Sequence, residues 1–240
     1  MPNRLRDPLR FTSASSASSA GNLLRAVSAG CALILLTAPE AAAHILDQDL
    51  SKLSRTELFG TYARVGFQHI LPDGLDHILF VLSLYLLEPR LKPVLVQATA
   101  FTLAHSITLG LGMYGVISPP AAIVEPIIAL SILFVALENI FTERLNPWRV
   151  LVVFGFGLIH GLGFASALSG LGLPKTSFFE SLIAFNIGVE LGQVAVILLA
   201  WALVGRWFAR KPWYRRRVLI PASIAIGLMA AYWTVERTFF

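Results

Sequence analysis

The chain has 240 residues, of which 56% are hydrophobic and only 14% are charged, and its mean hydropathy is +0.71. Soluble domains carry roughly 25% charged residues, so this composition excludes an ordinary soluble domain and predicts an all-α membrane protein. The net charge of +5 indicates no nucleic-acid partner, because the basic residues cluster beside apolar spans, where they orient a protein in the lipid bilayer. A single cysteine, Cys31, excludes an intramolecular disulfide and a cysteine-based metal site.

The first 43 residues have the features of a cleavable signal peptide. A basic stretch precedes the 13-residue apolar run Ala26–Ala38, which is short for a span, and the small residues Ala41–Ala43 follow. An uncleaved first helix is the alternative. Cleavage after Ala43 would leave His44 at the N-terminus, where an amine and an imidazole together chelate Cu²⁺ or Ni²⁺, unless this histidine lies there by chance.

We predict an extracytoplasmic segment at 44–65 and a transmembrane domain at 66–240. The amphipathic stretch Asp47–Arg64 is expected to form a surface helix or loop. Six apolar spans follow, each near the ~20 residues that cross the hydrocarbon core. They lie near Phe67–Leu87, Val94–Val116, Ala121–Phe141, Trp148–Gly170, Ser181–Trp207 and Val218–Tyr232. Pro72-Asp73-Gly74 interrupts the first span, which favours a separate half-helix at its start.

Basic residues fall in alternate loops of this six-span arrangement. They are Arg90 and Lys92, then Arg144 and Arg149, then the cluster in Arg206–Arg217. The positive-inside rule therefore predicts that these loops are cytoplasmic and that both termini lie outside the bacterial cytoplasmic membrane.

A faint internal repeat relates the two halves of the domain. Gly74-Leu75-Asp76-His77 resembles Gly157-Leu158-Ile159-His160, and Ala100-Phe101-Thr102 resembles Ala184-Phe185-Asn186. Two halves of three spans each must have opposite orientations, and such inverted repeats are typical of transporters with a site at the midplane. Chance similarity between helices rich in glycine and alanine is the alternative.

Polar and ionisable side chains inside the spans are the clue to function. Each such charge costs about 2.5–3.5 kcal/mol at the bilayer centre, so a chain keeps it only where it is paired or used. Imidazoles and carboxylates from several helices can together bind a metal ion. The candidate metal ligands are His69, Asp73, Asp76, His77, His105, Glu138, His160, Asn186 and Glu190.

The densest group is the run His69 to His77. On a continuous helix His69, Asp73, Asp76 and His77 share one face, if the Pro-Gly break does not turn the chain. Asp and His together suit Ni²⁺, Co²⁺ or Zn²⁺, with a carboxylate as ligand or as support for an imidazole. The alternative is an interfacial Asp cap beside a packed histidine.

The other polar positions have both ligand and packing interpretations. Glu125 and Glu138 lie thirteen residues apart, about 20 Å along a helix, and so could mark two ends of an ion path. Glu125 precedes a proline and could instead complement a helix N-terminus. Asn186, Glu190 and Gln193 form a stripe expected to face the bundle interior, as ligands or as interhelical hydrogen-bonding groups.

His105 and His160 have the same two readings, as ligands or as packed core residues. Gly157 and Gly161 flank His160 at a spacing that lets another helix approach closely.

These segments together resemble the HupE/UreJ family of hydrogenase and urease accessory membrane proteins. The matching segments are Gly74–Phe80, Phe101–Leu109, Glu138-Asn139 and Phe154–Phe164. The resemblance implies a permease-like protein that carries nickel or cobalt for metalloenzyme maturation, with His69, Asp76 and His77 as the ion-contacting motif. Six residues separate His69 from Asp76, where better-known members have five, and this resembles the second branch of the family.

The first functional hypothesis is therefore a divalent-cation permease, not an enzyme, that carries Ni²⁺ or Co²⁺ and needs no prosthetic group. Its partners would be the lipid bilayer, the metal ion and metallochaperones or hydrogenase or urease maturation proteins, without nucleic acid. The alternatives are a membrane haem or copper redox protein, and a non-transporting accessory subunit that docks through the Arg206–Arg217 loop. A hydrolase fits poorly, because neither a Ser/His/Asp nor a His-Glu-x-x-His arrangement is present.

Overall fold

The computed structural model describes residues 54–169 and 177–240, with side chains as far as Ala165 in the first stretch. The predicted signal peptide, His44 and most of the segment 44–65 lie outside these described residues. Within them the chain is helical and contains no strand. The helices are α1 Arg55–Ile70, α2 Leu75–Leu87, α3 Leu91–Met113, α4 Ala121–Phe141, α5 Arg149–Ser169, α6 Phe178–Ala200 and α7 Ile220–Phe239. Helix α6 continues through a π-helical turn to Phe208, and a second π-helical turn at Arg215–Leu219 leads into α7.

Helices α1 and α2 form a broken span, as the Pro72–Gly74 interruption predicted. Their axes differ by 68° across the break. A side chain on Gly74 would overlap the carbonyl oxygen of His69, so the turn is tight enough to require glycine.

The first half of this span begins earlier than predicted. A capping box between Ser54 and Glu57 starts the helix. Leu58 and Tyr62 are buried and α1 packs along α6, so the expected surface segment is in fact part of the bundle. The apolar periodicity before Gly66 was too weak to reveal this, because Arg55, Glu57 and Arg64 dilute it.

Three helix pairs make the most extensive contacts, namely α3 with α5, α1 with α6, and α4 with α7. Glycines allow the helices of the first two pairs to approach each other closely. A Cβ on Gly157 would lie against the backbone of Phe101, and a Cβ on Gly66 would overlap the backbone of Phe185. Helix α2 contacts α4 and α6, so the broken span reaches the middle of the bundle.

The distribution of side chains is that of a membrane protein. Leu103, Ile107 and Ile183 are more than half exposed, whereas Gln97 and Gln193 are fully buried. Four helices are long and apolar enough to cross a membrane, and the bent α1–α2 pair makes five. The remaining predicted span, the fourth, at Trp148–Gly170, corresponds to α5, which is apolar but shorter over the part with described side chains, Arg149–Ala165.

Two arginines that the positive-inside rule counts as basic loop residues have structural partners. Arg149 is the first residue of α5, is 1% exposed, and forms an ion pair with Glu138 at 3.1 Å. Its Nη2 also donates to the Asn139 side-chain oxygen at 3.1 Å. Arg215 donates to the carbonyl oxygens of Ile140 and Thr142, each at 2.9 Å, and so caps the C-terminal end of α4. The positive-inside rule counts charges and cannot identify such partners.

Candidate metal centre

The break between α1 and α2 brings two histidines together. The run from His69 to His77 does not form one straight helical face, because the chain turns by 68° between the two residues. The turn instead folds the end of α1 over the start of α2, and the two imidazole centroids lie 4.7 Å apart. A histidine at the last turn of one half-helix therefore meets a histidine in the first turn of the next.

Helix α3 adds a third imidazole to this pair. His105 has its ring centroid 5.9 Å from that of His69 and 6.0 Å from that of His77. One ligand atom from each of the three residues lies within 4.8 Å of the others. Two nitrogens bound to one ion at about 2.1 Å each can be at most about 4.2 Å apart, so binding requires the cluster to close by at least about 0.6 Å.

Five imidazole nitrogens in this region lack hydrogen-bond partners among the described residues. The unpartnered buried atoms are Nε2 of His69, Nε2 of His77, both ring nitrogens of His105, and Nδ1 of His160. Buried polar atoms are nearly always hydrogen-bonded in folded proteins, so a cluster of exceptions requires an explanation. Neutral imidazole nitrogens with free lone pairs are the donors that Ni²⁺, Co²⁺ and Zn²⁺ prefer, and a bound ion would provide the missing partner.

A fourth imidazole, from His160 on α5, is oriented by a serine. Ser131 Oγ lies 2.6 Å from the Ile128 carbonyl oxygen and 2.9 Å from His160 Nε2. A hydroxyl has one proton, and the carbonyl can only accept it, so Nε2 of His160 must be the donor to Ser131. This leaves Nδ1 with a free lone pair, and the ring lies 5.1 Å from His77 between centroids. Ser131 thus holds His160 in one tautomer, as groups behind metal ligands commonly do.

Aromatic rings enclose the four imidazoles. Phe164 lies 3.8 Å from the His69 ring, Phe101 lies 4.9 Å from the His160 ring, and Phe185 lies 5.6 Å from the His69 ring, between centroids. This apolar wall lowers the local polarity, which strengthens any interaction between an ion and its ligands.

A cavity of about 510 Å³ adjoins the cluster. It is lined by His69, His77 and His160 and by three carboxylates, Asp73, Asp76 and Glu125. Arg237 of α7 also lines it and binds both oxygens of Asp76, at 2.8 and 3.0 Å. The cavity therefore places acidic groups beside the imidazoles, as a path that attracts cations requires.

Residues 46–237 match the family model described as HupE / UreJ protein. This match covers well over half of the chain. The chain belongs to the HupE/UreJ family. Comparisons with curated proteins and with solved structures give no significant match.

In this HupE/UreJ chain the other predicted ligands lie in separate groups. Glu138 is paired with Arg149 and is seven residues from Ser131 on α4, which is about 10 Å along the helix axis. Asn186 and Glu190 line a second cavity of about 360 Å³ between α3 and α6.

The α6 stripe faces α3, as its polarity predicted. Glu190 accepts a hydrogen bond from Thr99 Oγ1 at 2.6 Å. The Asn186 amide nitrogen donates to the Leu182 carbonyl at 2.8 Å, and its side-chain oxygen has no partner among the described residues. Asn186 also lies beside His105 of the imidazole cluster, and Glu190 lies about one helical turn further along α6.

Sequence reasoning missed Ser131 and Arg237. Ser131 is one hydroxyl in an apolar helix, and only its contact with His160, 29 residues away, distinguishes it. Arg237 could have been noticed as a charge near the end of the last apolar span, although nothing in the sequence indicates its partner Asp76, 161 residues away.

Proposed function

We propose that this protein is a permease that carries a divalent transition-metal cation, Ni²⁺ or Co²⁺, across the bacterial cytoplasmic membrane and thereby supplies hydrogenase or urease maturation. The observation that carries the proposal is the cluster of His69, His77 and His105, with ligand atoms within 4.8 Å of one another and unpartnered ring nitrogens. Membership of the HupE/UreJ family supports the choice of metal.

In this proposal the ion enters from outside through the cavity that contains Asp73 and Glu125, is held by the imidazoles, and leaves toward the cytoplasm. A charge of +2 gains about 4.6 kcal/mol per 100 mV as it moves inward across the membrane potential. That gain is sufficient to drive accumulation without a nucleotide. Imidazole ligands rather than a cage of carboxylates also favour Ni²⁺ and Co²⁺ over Mg²⁺ and Ca²⁺.

An inverted repeat of two three-span halves is part of the proposal. In such a repeat the broken span α1–α2 corresponds to α5, α3 corresponds to α6, and α4 corresponds to α7. The α3–α5 contact is then equivalent to the α6–α1 contact, and the α4–α7 contact is equivalent to itself. These are the three most extensive helix pairs. The packing favours pairing Gly157 with Gly66, and not with Gly74 as the sequence similarity suggested, since Gly66 and Gly157 each lie against the backbone of an Ala-Phe segment, at Phe185 and Phe101 respectively. His69 and His160 then occupy equivalent places, each three residues after its glycine, which supports a site between the halves.

Nickel uptake tests the proposal in cells that lack their own high-affinity nickel importer. We expect cells with the wild-type protein to accumulate radioactive nickel, and cells with the His77→Ala or His105→Ala variant to match cells with an empty vector. Gln97→Leu is the matched control, because Gln97 is also a buried polar residue of α3 but lies about two turns before His105. It should retain uptake.

Two results would contradict the proposal. A well-expressed wild-type protein that carries neither nickel nor cobalt is not a permease for these ions. If the purified protein nevertheless binds nickel in a His77-dependent manner, the accessory-subunit hypothesis replaces it. If nickel uptake persists in both histidine variants, the imidazole cluster is not part of the ion path.

A further inference from the structure

Arg237 pairs with Asp76, the carboxylate that directly precedes His77 of the imidazole cluster. Its two terminal nitrogens lie 2.8 Å and 3.0 Å from the two oxygens of Asp76, which is the bidentate arrangement that satisfies a carboxylate most fully. Asp76 directly precedes His77 and lies in the first turn of α2. While the pair is formed, both oxygens of Asp76 accept hydrogen bonds from Arg237 and its negative charge is neutralised, so Asp76 attracts another cation only weakly.

The charges around the cavity favour an incoming divalent ion. Among the described residues that line it, Arg237 is the one cationic side chain, and Asp73, Asp76 and Glu125 are carboxylates. With neutral imidazoles, three carboxylates against one guanidinium leave two negative charges. A single divalent cation neutralises that excess.

Arg237 also contacts an aromatic ring, which can retain the guanidinium when its contact with Asp76 breaks. Its guanidinium carbon lies 5.2 Å from the centroid of the Trp233 ring, one turn earlier on α7, within the range of a cation–π contact. The side chains of Arg237 and Asp76 are 20% and 22% exposed, so the guanidinium can move away from Asp76 toward the cavity water and remain against the tryptophan.

From these observations we propose that Arg237 is a tethered cation that competes with the metal ion for Asp76. In the ion-free protein the guanidinium neutralises Asp76, and the arriving ion displaces it and gains Asp76 beside His77. The inference rests on the proposed function, because it requires an ion at the imidazole cluster. Hard cations such as Mg²⁺ gain little from imidazole nitrogens, so displacing Arg237 costs them more than they recover. Arg237 is thus a specificity-determining residue.

Isothermal titration calorimetry of the purified full-length protein with NiCl₂ tests this, with MgCl₂ as competitor. We expect Arg237→Gln to bind Ni²⁺ about 10-fold more tightly than wild type, because the ion no longer displaces a charged hydrogen-bonded partner. Mg²⁺ should compete measurably with Ni²⁺ in this variant. Arg237→Lys, which cannot make the bidentate contact, should give an intermediate affinity, and it serves as the second variant if Arg237→Gln folds poorly. The exposed Arg216 provides the control Arg216→Gln, which should bind like wild type.

A structural role for Arg237 predicts different results. If the pair only fastens α7 to α2, Arg237→Gln and Arg237→Lys lower the thermal unfolding midpoint and leave Ni²⁺ affinity unchanged or weaker, which overturns the inference. With a purely structural role, adding Asp76→Asn to Arg237→Gln should not change the Ni²⁺ affinity further. Our proposal instead expects the double variant to lose the gain in Ni²⁺ affinity that Arg237→Gln produces. Nickel binding by the wild type that depends on His77 but is not tightened in either Arg237 variant rejects this inference alone. If the wild type binds neither nickel nor cobalt in such titrations, the proposed function is rejected as well.

Discussion

Two buried polar clusters lie in this apolar bundle, and they are built in opposite ways. At the junction of α4 and α5, Arg149 faces Glu138 at 3.1 Å and donates to Asn139. At the α1–α2 break, the imidazoles of His69 and His77 face each other, and Nε2 of each has no partner among the described residues. The first cluster contains its own countercharge, and the second contains donors that an ion from outside the chain can satisfy. Polarity inside a membrane therefore does not by itself identify a binding site, and what distinguishes these two clusters is whether the chain supplies groups of opposite charge, as Arg149 and Glu138 do.

One helix connects the two clusters. Ser131 orients His160 from the middle of α4, and Glu138 meets Arg149 near the end of the same helix. Substitutions along α4 can therefore separate an effect on ion binding from an effect on stability.

The largest expected effect is on stability, from Arg149→Met. This change leaves the Glu138 carboxylate buried without its countercharge, and breaking a buried pair in this way costs about 3–5 kcal/mol. We expect a large fall in the thermal unfolding midpoint of the detergent-solubilised protein. The double variant Arg149→Met with Glu138→Gln should recover most of the loss, because no unpaired charge remains.

Arg90→Met is the matched control for this prediction. Arg90 also pairs with a glutamate, Glu88, but its side chain is 72% exposed, and such surface pairs contribute about 0–1 kcal/mol. If Arg149→Met is no more harmful than Arg90→Met, the buried pair is not a structural element. If the double variant is stable but no longer binds nickel, Glu138 takes part in ion binding.

The next effect is on metal affinity, from Ser131→Ala. Without the serine, His160 can adopt either tautomer and lose its orientation, and removing such a supporting group typically weakens metal binding 10–100-fold. We expect this loss in nickel titrations of the purified protein, with little change in the thermal unfolding midpoint.

Ser223→Ala is the corresponding control, because Ser223 is also fully buried but lies beside Asn139 in the paired cluster. It should leave nickel affinity unchanged. Equal affinities of the Ser131→Ala and wild-type proteins would mean that His160 is not a ligand.

The sequence was sufficient to predict the fold class, the family and the broken span. Apolar runs near the length of a bilayer, the Pro72–Gly74 break and the motifs around His77, His105 and His160 have local signatures. The polar stripe on α6 was also expected to face the interior, and Gln193 is fully buried there. Each of these predictions depends on spacing within one segment.

The remaining features depend on pairs of residues far apart in the chain. Asp76 was a candidate ligand with no visible partner until Arg237 was found against it, and Arg149 was a loop charge until Glu138 was found beside it. Such pairs leave no periodic signal in a single sequence, because only the packing of distant helices decides which charges meet. The sequence could therefore predict which residues are chemically important but not which of them are already neutralised.

The smallest expected effect is from Arg215→Gln, which tests whether the paired end of α4 is independent of the imidazole cluster. Arg215 donates to two carbonyl oxygens at the end of α4, those of Ile140 and Thr142, and it is partly exposed. Losing these contacts should lower stability by about 1 kcal/mol, a modest shift in the unfolding midpoint, whereas exposed Arg216→Gln should produce none. Nickel affinity should be unchanged, because the capped end is about 13 Å along α4 from Ser131. A clear loss of nickel affinity in Arg215→Gln would show instead that the end of α4 and the imidazole cluster move together, and the separation of a structural from a binding cluster would no longer hold.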